Sequence, residues 1–267
     1  MARIGLATER MIGESEPPIG WMVFNNPERR NAVSAEMWEA IPAILDAFEA
    51  DPAIRVVALR GAGGKAFVAG LDISQLEERF ATPDSVARHS ALTARAVARI
   101  AGSSKPTIAM IEGYCIGAGM LIALNCDLRL AAEGARLAVP AAKMGLSYPV
   151  PGIQRLIELA GPAFAREMLF TARQVPAGEA LAAGLIGRVL PQAELEGALR
   201  ELAAAIADNA PLTLAAVKGV VAELGRQPGA LDAARCRTLA EACLASADHV
   251  EGRRAFMDKR KPVFTGR

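Results

Sequence analysis

The chain has 267 residues, of which 52% are hydrophobic, 22% are charged and only 4% are aromatic, and its formal net charge is +1. This length and composition can form one large domain with a substantial core built mainly from aliphatic side chains. The near-neutral charge gives no indication of a nucleic-acid or acidic-polymer partner.

The sequence also does not indicate a membrane or an export route. It contains no uninterrupted apolar stretch of about 18 residues, and no apolar segment with a basic flank that would act as a signal peptide. The four cysteines, Cys115, Cys126, Cys236 and Cys243, follow no zinc-binding or CxxC spacing. We therefore expect a cytoplasmic protein without a metal site, in which Cys115 and Cys126 are buried free thiols.

Strands and helices alternate in the first hundred residues. The predicted elements are two strands within 3–24, a helix that begins after Ser34 and ends before Asp51, a strand at 54–60, a glycine turn at 61–64 that leads through 66–73 into a helix, and a long helix from Thr82 to Ala101.

The same alternation continues to about residue 190 and then stops. The predicted elements are strands at 107–111, 126–130, 135–139 and 185–190, helices at 153–171 and 178–184, an irregular loop at 140–152, and further helices at 193–208, 211–224, 229–245 and 248–258. This change predicts a strand-rich core in residues 1–190 and a helical region in residues 191–267.

Two glycine-rich turns, about 50 residues apart, are the most informative local feature. One is Gly113-Tyr114-Cys115-Ile116-Gly117-Ala118-Gly119, and the other begins at Gly61-Ala62-Gly63-Gly64. A helix that starts at such a turn presents unpaired N–H groups and a positive dipole end, which suit a phosphate or a developing oxyanion. Glycines can also serve only to make a turn tight, and neither segment fits the dinucleotide or P-loop fingerprint. Two such turns together could direct two N–H groups at one oxygen.

Four segments closely resemble the crotonase (enoyl-CoA hydratase/isomerase) superfamily. They read NNPERRNAVS, GGKAFVAGLDI, GYCIGAGM followed by CDLRLAA, and EGRRAFMDKRKPVF, and they occur in the family's order between Trp21 and Phe264. The resemblance implies an α/β fold with a crotonase-like spiral of ββα turns and a helical C-terminal region that packs against neighbouring subunits. It further implies a homotrimer or a dimer of trimers.

The resemblance also implies a site for an acyl-CoA thioester. In this superfamily two backbone N–H groups hold the thioester carbonyl, and the matching positions here are Leu71 and Ala118. Ala118 stands where the family usually has glycine, which is tolerable only if its φ is negative. Hydratases of the family carry two glutamates, whose positions hold Leu121 and Ala141 here. An alkyl side chain cannot accept a proton, so hydration by paired glutamates is not expected.

Tyr148 is the candidate polar group for the acyl end of this site. Methylmalonyl-CoA decarboxylases of the superfamily place a tyrosine at this offset and also lack both glutamates, although they have histidine where this chain has Leu71. Tyr148 can alternatively be a half-buried loop residue whose hydroxyl is hydrogen-bonded. Asp72 follows the first predicted donor, and it is either a residue of the binding site, a base or the cap of the next helix.

Coenzyme A is expected only as part of the substrate, with no tightly bound cofactor. By resemblance, Arg29, Arg30, Ala32 and Ala69 line one side of its site. Phe256 and Lys259 match the C-terminal helix that reaches CoA, often from a neighbouring subunit. The Lys259-Arg260-Lys261 run can equally be a solvated helix end.

These features predict an enzyme that stabilises a thioester enolate between two amides. A C–C lyase, a decarboxylase or a thioester hydrolase fits the residues better than a hydratase. The alternative is a non-catalytic acyl-CoA-binding protein that has kept the pocket and lost the chemistry.

Overall fold

Three consecutive strand–strand–helix units form the centre of the protein in the computed structural model, which describes residues 2–225 and 230–267. The units begin at residues 56, 107 and 128, and in each a short second strand follows the first after a tight turn. The predicted α/β fold with repeated ββα turns is confirmed. The strands are β1 (Ala2–Arg3), β2 (Met11–Glu16), β3 (Ile19–Phe24), β4 (Val56–Gly61), β5 (Ala66–Val68), β6 (Thr107–Ile111), β7 (Tyr114–Ile116), β8 (Leu128–Ala132), β9 (Arg136–Ala138), β10 (Val175–Pro176) and β11 (Arg188–Leu190).

The first strands of the units join one large sheet and the second strands join a small one. The large sheet has the order β1-β2-β3-β4-β6-β8-β11, antiparallel among β1, β2 and β3 and parallel from β3 to β11. The small sheet has the order β10-β9-β7-β5, and only its β9–β10 pair is antiparallel. Each turn of the chain therefore adds one strand to each sheet.

In the described ranges ten α-helices surround the sheets, and the last four follow the final strand. They are α1 (Ala35–Ala50), α2 (Leu76–Phe80), α3 (Pro83–Ala101), α4 (Ala118–Asn125), α5 (Val150–Thr171), α6 (Ala177–Ala182), α7 (Gln192–Ala207), α8 (Pro211–Leu224), α9 (Ala233–Leu244) and α10 (Ala247–Met257). The predicted first residue of α9, at 229, lies outside the described residues. Within the described ranges no single helix is long and apolar enough to cross a membrane, and only α7 and α8, bent by 104°, pass that test as a pair.

Two hydrophobic cores cover the two faces of the large sheet. The main core lies between the sheets and helices α1, α3, α4 and α5, and it contains Trp38, Leu121 and Tyr148. The second core lies on the outer face, where Leu195 and Leu199 of α7 cover the sheet. The helical C-terminal region thus begins by packing on the core, and its proposed boundary at residue 190 stays a prediction.

The structure differs from the sequence prediction after the first glycine turn. The segment after Gly64 is a strand, β5, and not the beginning of a helix. Its backbone pairs with β7, almost fifty positions further along the chain, with Ala66 opposite Tyr114. A run of three apolar residues carries no periodicity of its own, so this strand depends on a distant partner.

Candidate active site

A cavity of about 430 Å³ lies where the ends of β5 and β7 meet the loop before α5. Leu71 follows β5, Ala118 begins α4, and Tyr148 belongs to the loop, and all three residues line this cavity. The three residues that the sequence suggested as catalytic are therefore brought together, although 30 or more positions separate each from the next.

The peptide group between Gly117 and Ala118 presents its N–H to the outside of the helix. The Gly117 carbonyl oxygen accepts hydrogen bonds from the Leu121 N–H at 3.0 Å and from the Tyr148 hydroxyl at 3.0 Å. Because the peptide is planar and trans, the Ala118 N–H points away from both donors. Ala118 is the first residue of α4, so its N–H has no acceptor in the helix. The φ of Ala118 is not in the positive range, and the residue with a positive φ in this turn is Gly117, at +54°.

The peptide group between Gly70 and Leu71 is arranged in the same way. Its carbonyl oxygen accepts the Val33 N–H at 2.9 Å, and the Asp72 N–H donates to the Val33 carbonyl at 3.0 Å. The backbone on both sides of Leu71 is thus bonded to Val33, and the Leu71 N–H points in the opposite direction. No described residue accepts a hydrogen bond from the N–H of Leu71 or of Ala118.

These two peptide groups are neighbours in space. A Cβ atom at Gly117 would lie 3.9 Å from the Gly70 Cα, and one at Gly70 would lie 3.9 Å from the Ile116 carbonyl oxygen. A Cβ at Gly119 would lie only 2.2 Å from the Val68 carbonyl oxygen, so glycine is required for α4 to begin this close to β5. Two unpaired N–H groups therefore lie in adjacent segments that line one cavity, a suitable arrangement for holding one oxyanion.

Tyr148 is placed at this site with its hydroxyl on the carbonyl side of the Gly117–Ala118 peptide. The residue is 9% exposed, and burial raises the pKa of its hydroxyl well above the ordinary value. Its proton is donated to the Gly117 carbonyl oxygen, not toward the space in front of the two N–H groups. The hydroxyl thus does not face the acyl end of the site, and its hydrogen bond within the protein is the alternative that the sequence left open for a loop tyrosine.

The two positions that the family resemblance matches to hydratase glutamates also line the cavity. They hold Leu121, which is almost fully buried, and Ala141. Among the described residues that line this cavity there is no aspartate or glutamate.

Asp72 lies behind the cavity wall and not in it. Its buried carboxylate accepts hydrogen bonds from the Ser74 N–H at 3.0 Å, the Ser74 hydroxyl at 2.8 Å and the Arg29 guanidinium at 2.7 Å. Burial alone would raise the pKa of Asp72, but the bonds from Ser74 and Arg29 outweigh it and lower the pKa. This is the arrangement of a cap on the 3₁₀ turn Ile73–Gln75, one of the alternatives that the sequence left open.

The residues suggested for CoA binding fall into two separate groups. Ala69 lines the cavity, and its N–H donates to the Arg30 carbonyl at 3.1 Å. Arg29 and Ala32 belong to the same segment as Arg30. Phe256 is 83% exposed and lines a different cavity of about 830 Å³ beside α10, and Lys259 follows that helix. Within this single chain, Phe256 and Lys259 are not brought to the cavity of Leu71 and Ala118.

Among the described residues, five further polar side chains line the cavity and were not sequence candidates. They are Trp38 on α1, Arg79 on α2, Ser90 and Thr93 on α3, and Ser147 of the loop before α5. On α3 the apolar Val86 is 37% exposed, whereas His89 and Thr93 are buried. Position 93 lies four residues before Val97, so the helical period itself could have placed Thr93 on the buried face.

Comparisons with known proteins agree with this fold. The model of the family described as enoyl-CoA hydratase/isomerase matches residues 14–267. The short-chain-enoyl-CoA hydratase of Clostridium acetobutylicum is 31% identical over 252 residues, which are 94% of this chain and 95% of that protein. The carnitinyl-CoA dehydratase of Salmonella paratyphi A is 35% identical over 254 residues, with 94% and 96% covered.

A solved structure shows the same relationship in three dimensions. The enoyl-CoA hydratase/carnithine racemase from Magnetospirillum magneticum superposes with a TM-score of 0.92 at 32% identity, and the match covers 98% of this chain and 97% of that one. The chain therefore belongs to the enoyl-CoA hydratase/isomerase family of the crotonase superfamily.

Proposed function

We propose that this chain is an enzyme that acts on acyl-CoA thioesters and stabilises an enolate or tetrahedral oxyanion with the N–H groups of Leu71 and Ala118. The observation that carries the proposal is the pair of unpaired N–H groups in adjacent segments of one cavity wall. Stabilisation of a developing oxyanion by such donors is often the largest single contribution to catalysis. Segments around Arg29, Arg30, Ala32 and Ala69 would bind the CoA part, with Phe256 and Lys259 supplied from a neighbouring subunit.

The side chains at Leu121 and Ala141 favour a reaction that needs no carboxylate acid or base in the cavity. In decarboxylation of a thioester with a carboxylate on its α-carbon, the C–C bonding pair becomes the enolate, CO₂ departs and solvent supplies the proton. C–C cleavage of a related kind and hydrolysis through a tetrahedral oxyanion also use mainly the two N–H groups. A C–C lyase, decarboxylase or hydrolase activity is therefore the form of the proposal that these residues support best.

Tyr148 has a positioning role in this proposal. Its hydroxyl holds the Gly117 carbonyl oxygen and so fixes the direction of the Ala118 N–H on the other edge of the same peptide group. A hydrogen bond to the carbonyl also polarises the peptide and strengthens its N–H as a donor. Because burial raises the pKa of Tyr148, this bond persists at neutral and moderately alkaline pH.

Hydration or dehydration is the second candidate, since the relatives above are named as a hydratase and a dehydratase. It would require a proton carrier other than residues 121 and 141. A non-catalytic acyl-CoA-binding protein is the remaining alternative.

One experiment separates the enolate-forming enzyme, the hydratase or dehydratase and the binding-only protein. The purified protein is incubated with methylmalonyl-CoA, crotonyl-CoA and a panel of further acyl-CoA thioesters, and the products are followed by mass. Turnover of any thioester rejects the binding-only alternative.

The oxyanion site itself is tested by changing Ala118. Ala118→Pro removes the N–H while proline remains acceptable at the first position of a helix, and we expect a loss of about 10²–10³-fold in turnover. Ala118→Gly keeps the N–H and serves as the matched control, with turnover close to that of the native protein. Melting curves of both variants exclude unfolding as the cause. Full activity of Ala118→Pro would place the oxyanion site elsewhere.

A further inference from the structure

The end of α4 that lies away from the cavity is bound by a buried arginine. α4 begins with Ala118 in the cavity wall, and its eight residues give it an axial length of about 12 Å. At the other end, Arg129 of β8 donates from Nη1 to the carbonyl oxygens of Cys126 at 2.7 Å and Ala123 at 3.3 Å. Its Nε donates to the Leu185 carbonyl oxygen at 2.7 Å. The guanidinium thus lies against the carbonyl end of the helix whose N–H end is proposed to hold the oxyanion.

The charge of Arg129 is not balanced by an ion pair. The residue is 8% exposed, and in the described ranges its guanidinium donates to carbonyl oxygens and forms no ion pair. The carboxylate of Asp127, two positions away, is bound to the Lys218 amine at 2.8 Å. Burial lowers the pKa of Arg129, but a guanidinium stays protonated at neutral pH. A buried cation without a carboxylate is costly for the fold, and here the negative end of the α4 dipole offsets that cost.

The second arginine at this helix end, Arg155, does have a carboxylate partner. Its Nε donates to the Leu124 carbonyl oxygen at 3.2 Å, and its Nη1 pairs with Glu158 at 2.6 Å. The opposite charges of this pair largely cancel at the distance of the cavity. Arg129 therefore supplies the net positive charge at the carbonyl end of α4.

A charge at one end of a short buried helix acts on a charge at the other end. The N-terminal N–H groups of α4 attract an oxyanion, whereas its C-terminal carbonyl groups repel one. All eight residues of α4 are buried, so screening by water and salt between the two ends is weak. A cation bound to the carbonyl groups cancels their repulsion and adds an attraction that falls only as the inverse of the distance.

We propose that Arg129 is a positioning residue of the oxyanion site, whose positive charge at the carbonyl end of α4 strengthens the attraction of the Ala118 N–H for an oxyanion. The inference rests on the proposed function, because it requires that an oxyanion is held at that N–H. A purely structural cap would stabilise α4 and leave its preference for a negatively charged ligand unchanged.

The test compares two unreactive CoA thioethers of nearly the same shape, the anionic S-carboxymethyl-CoA and the neutral S-carbamoylmethyl-CoA. Titration calorimetry gives the ratio of their affinities. In Arg129→Gln, which keeps a donor and removes the charge, the affinity for the carboxylate relative to the amide should fall about fivefold. Arg129→Lys keeps the charge and should retain most of the native ratio. The control is Asn125→Ala, which removes a neutral hydrogen bond of 2.8 Å to the Leu121 carbonyl oxygen at the same helix end and should leave the ratio unchanged.

Glu158→Gln tests the same effect without a change at Arg129. It removes the charge that balances Arg155, so the ratio should rise about twofold. Melting curves show which variants are folded, and Glu158→Gln decides the question if Arg129→Gln is not. An unchanged ratio in the deciding variant, or an equal fall in folded Arg129→Gln and Arg129→Lys, would overturn the inference.

Ala118→Pro separates this inference from the proposed function. A ratio that falls in Ala118→Pro and stays unchanged in Arg129→Gln and Glu158→Gln would overturn the role of Arg129 and leave the proposed oxyanion site standing. A ratio that Ala118→Pro leaves unchanged would overturn the oxyanion site as well. Binding of neither thioether by the folded native protein would overturn both.

Discussion

The hydroxyl of Tyr148 and the N–H of Ala118 lie on opposite edges of one peptide group. In the proposed function the side chain would act on an oxyanion without facing it, because it fixes and polarises the peptide that would donate to that oxyanion. Leu121 shares the same carbonyl oxygen through its own N–H. A single backbone oxygen thus joins the loop before α5 to the start of α4.

Tyr148→Phe removes this hydroxyl and leaves the aromatic ring in place. Tyr148→Phe should lower turnover of a thioester substrate by at least tenfold, which is about 1.4 kcal/mol in the activation barrier, while CoA affinity stays nearly unchanged. Tyr114→Phe is the matched control, because Tyr114 does not line the cavity. The Arg30 guanidinium lies over the Tyr114 ring, 4.9 Å from its centre, and phenylalanine retains that ring. Steady-state kinetics of both variants and of the native protein provide the measurement. Unchanged turnover in Tyr148→Phe would mean that the hydroxyl forms a structural hydrogen bond and has no role in catalysis.

The residues of the site differ in how far the sequence alone could identify them. Leu71 and Ala118 belong to recognisable motifs, and backbone donation tolerates almost any side chain at those positions. Arg79, Trp38 and Thr93 belong to no motif, and they line the cavity because three separate helices bring them there. Such a placement becomes visible only when the fold is known.

The close contact between α4 and β5 positions the start of α4 beside the cavity. Gly119 is in the first turn of α4, and a methyl group there would lie 2.2 Å from the Val68 carbonyl oxygen. Neither partner can move easily, because one is a helix backbone and the other a strand backbone. The position of the Ala118 N–H relative to Leu71 therefore depends on this contact.

Gly119→Ala should push the start of α4 away from β5. We expect it to lower the free energy of unfolding by about 1–3 kcal/mol, the usual range for an overpacked core, and to reduce thioester turnover as well. Gly134→Ala is the control, because a Cβ at that position meets nothing within 4 Å. Denaturant titration of the two variants compares their stabilities. Equal stability would mean that the backbone there adjusts without cost.

Elements with their own periodicity were predicted well and those without it were not. The amphipathic helices α1 and α3 agree with the sequence prediction within a residue or two, and α8 begins and ends as predicted. The short strand β5 was missed because its hydrogen bonds come from β7 and nothing in Ala66–Val68 itself favours a strand over a helix start. The ββα repeat was expected from resemblance and not from the local pattern.

Across the whole molecule, large apolar side chains are exposed on the helices. They include Phe170 on α5, Val221 and Leu224 on α8, and Phe256 and Met257 on α10. Large apolar side chains are most often buried, so this many exposed ones favour an interface with another chain. The family resemblance associates this region with contacts between subunits, and the separation of Phe256 from the cavity fits a role toward a neighbouring chain.

We predict that the protein in solution is a homotrimer or a dimer of trimers. Size-exclusion chromatography with light scattering should give a mass of three or six chains at micromolar concentration, because burial of these apolar side chains stabilises the assembly. A single chain at every concentration tested would contradict this prediction, and it would also remove the support for CoA contacts from Phe256 and Lys259 of a neighbouring subunit.

Hydration of crotonyl-CoA is the measurement that separates catalysis by two backbone N–H groups, as proposed here, from catalysis by paired glutamates. By family resemblance Leu121 and Ala141 occupy the positions of two proton-carrying glutamates, and each such group ordinarily contributes about 10²–10⁴-fold to the rate. The measurement follows hydration by protein purified from a host that lacks its own crotonyl-CoA hydratase. We predict a rate at least about 10⁴-fold below that of a glutamate-containing hydratase. A turnover number comparable to that of such a hydratase would contradict it.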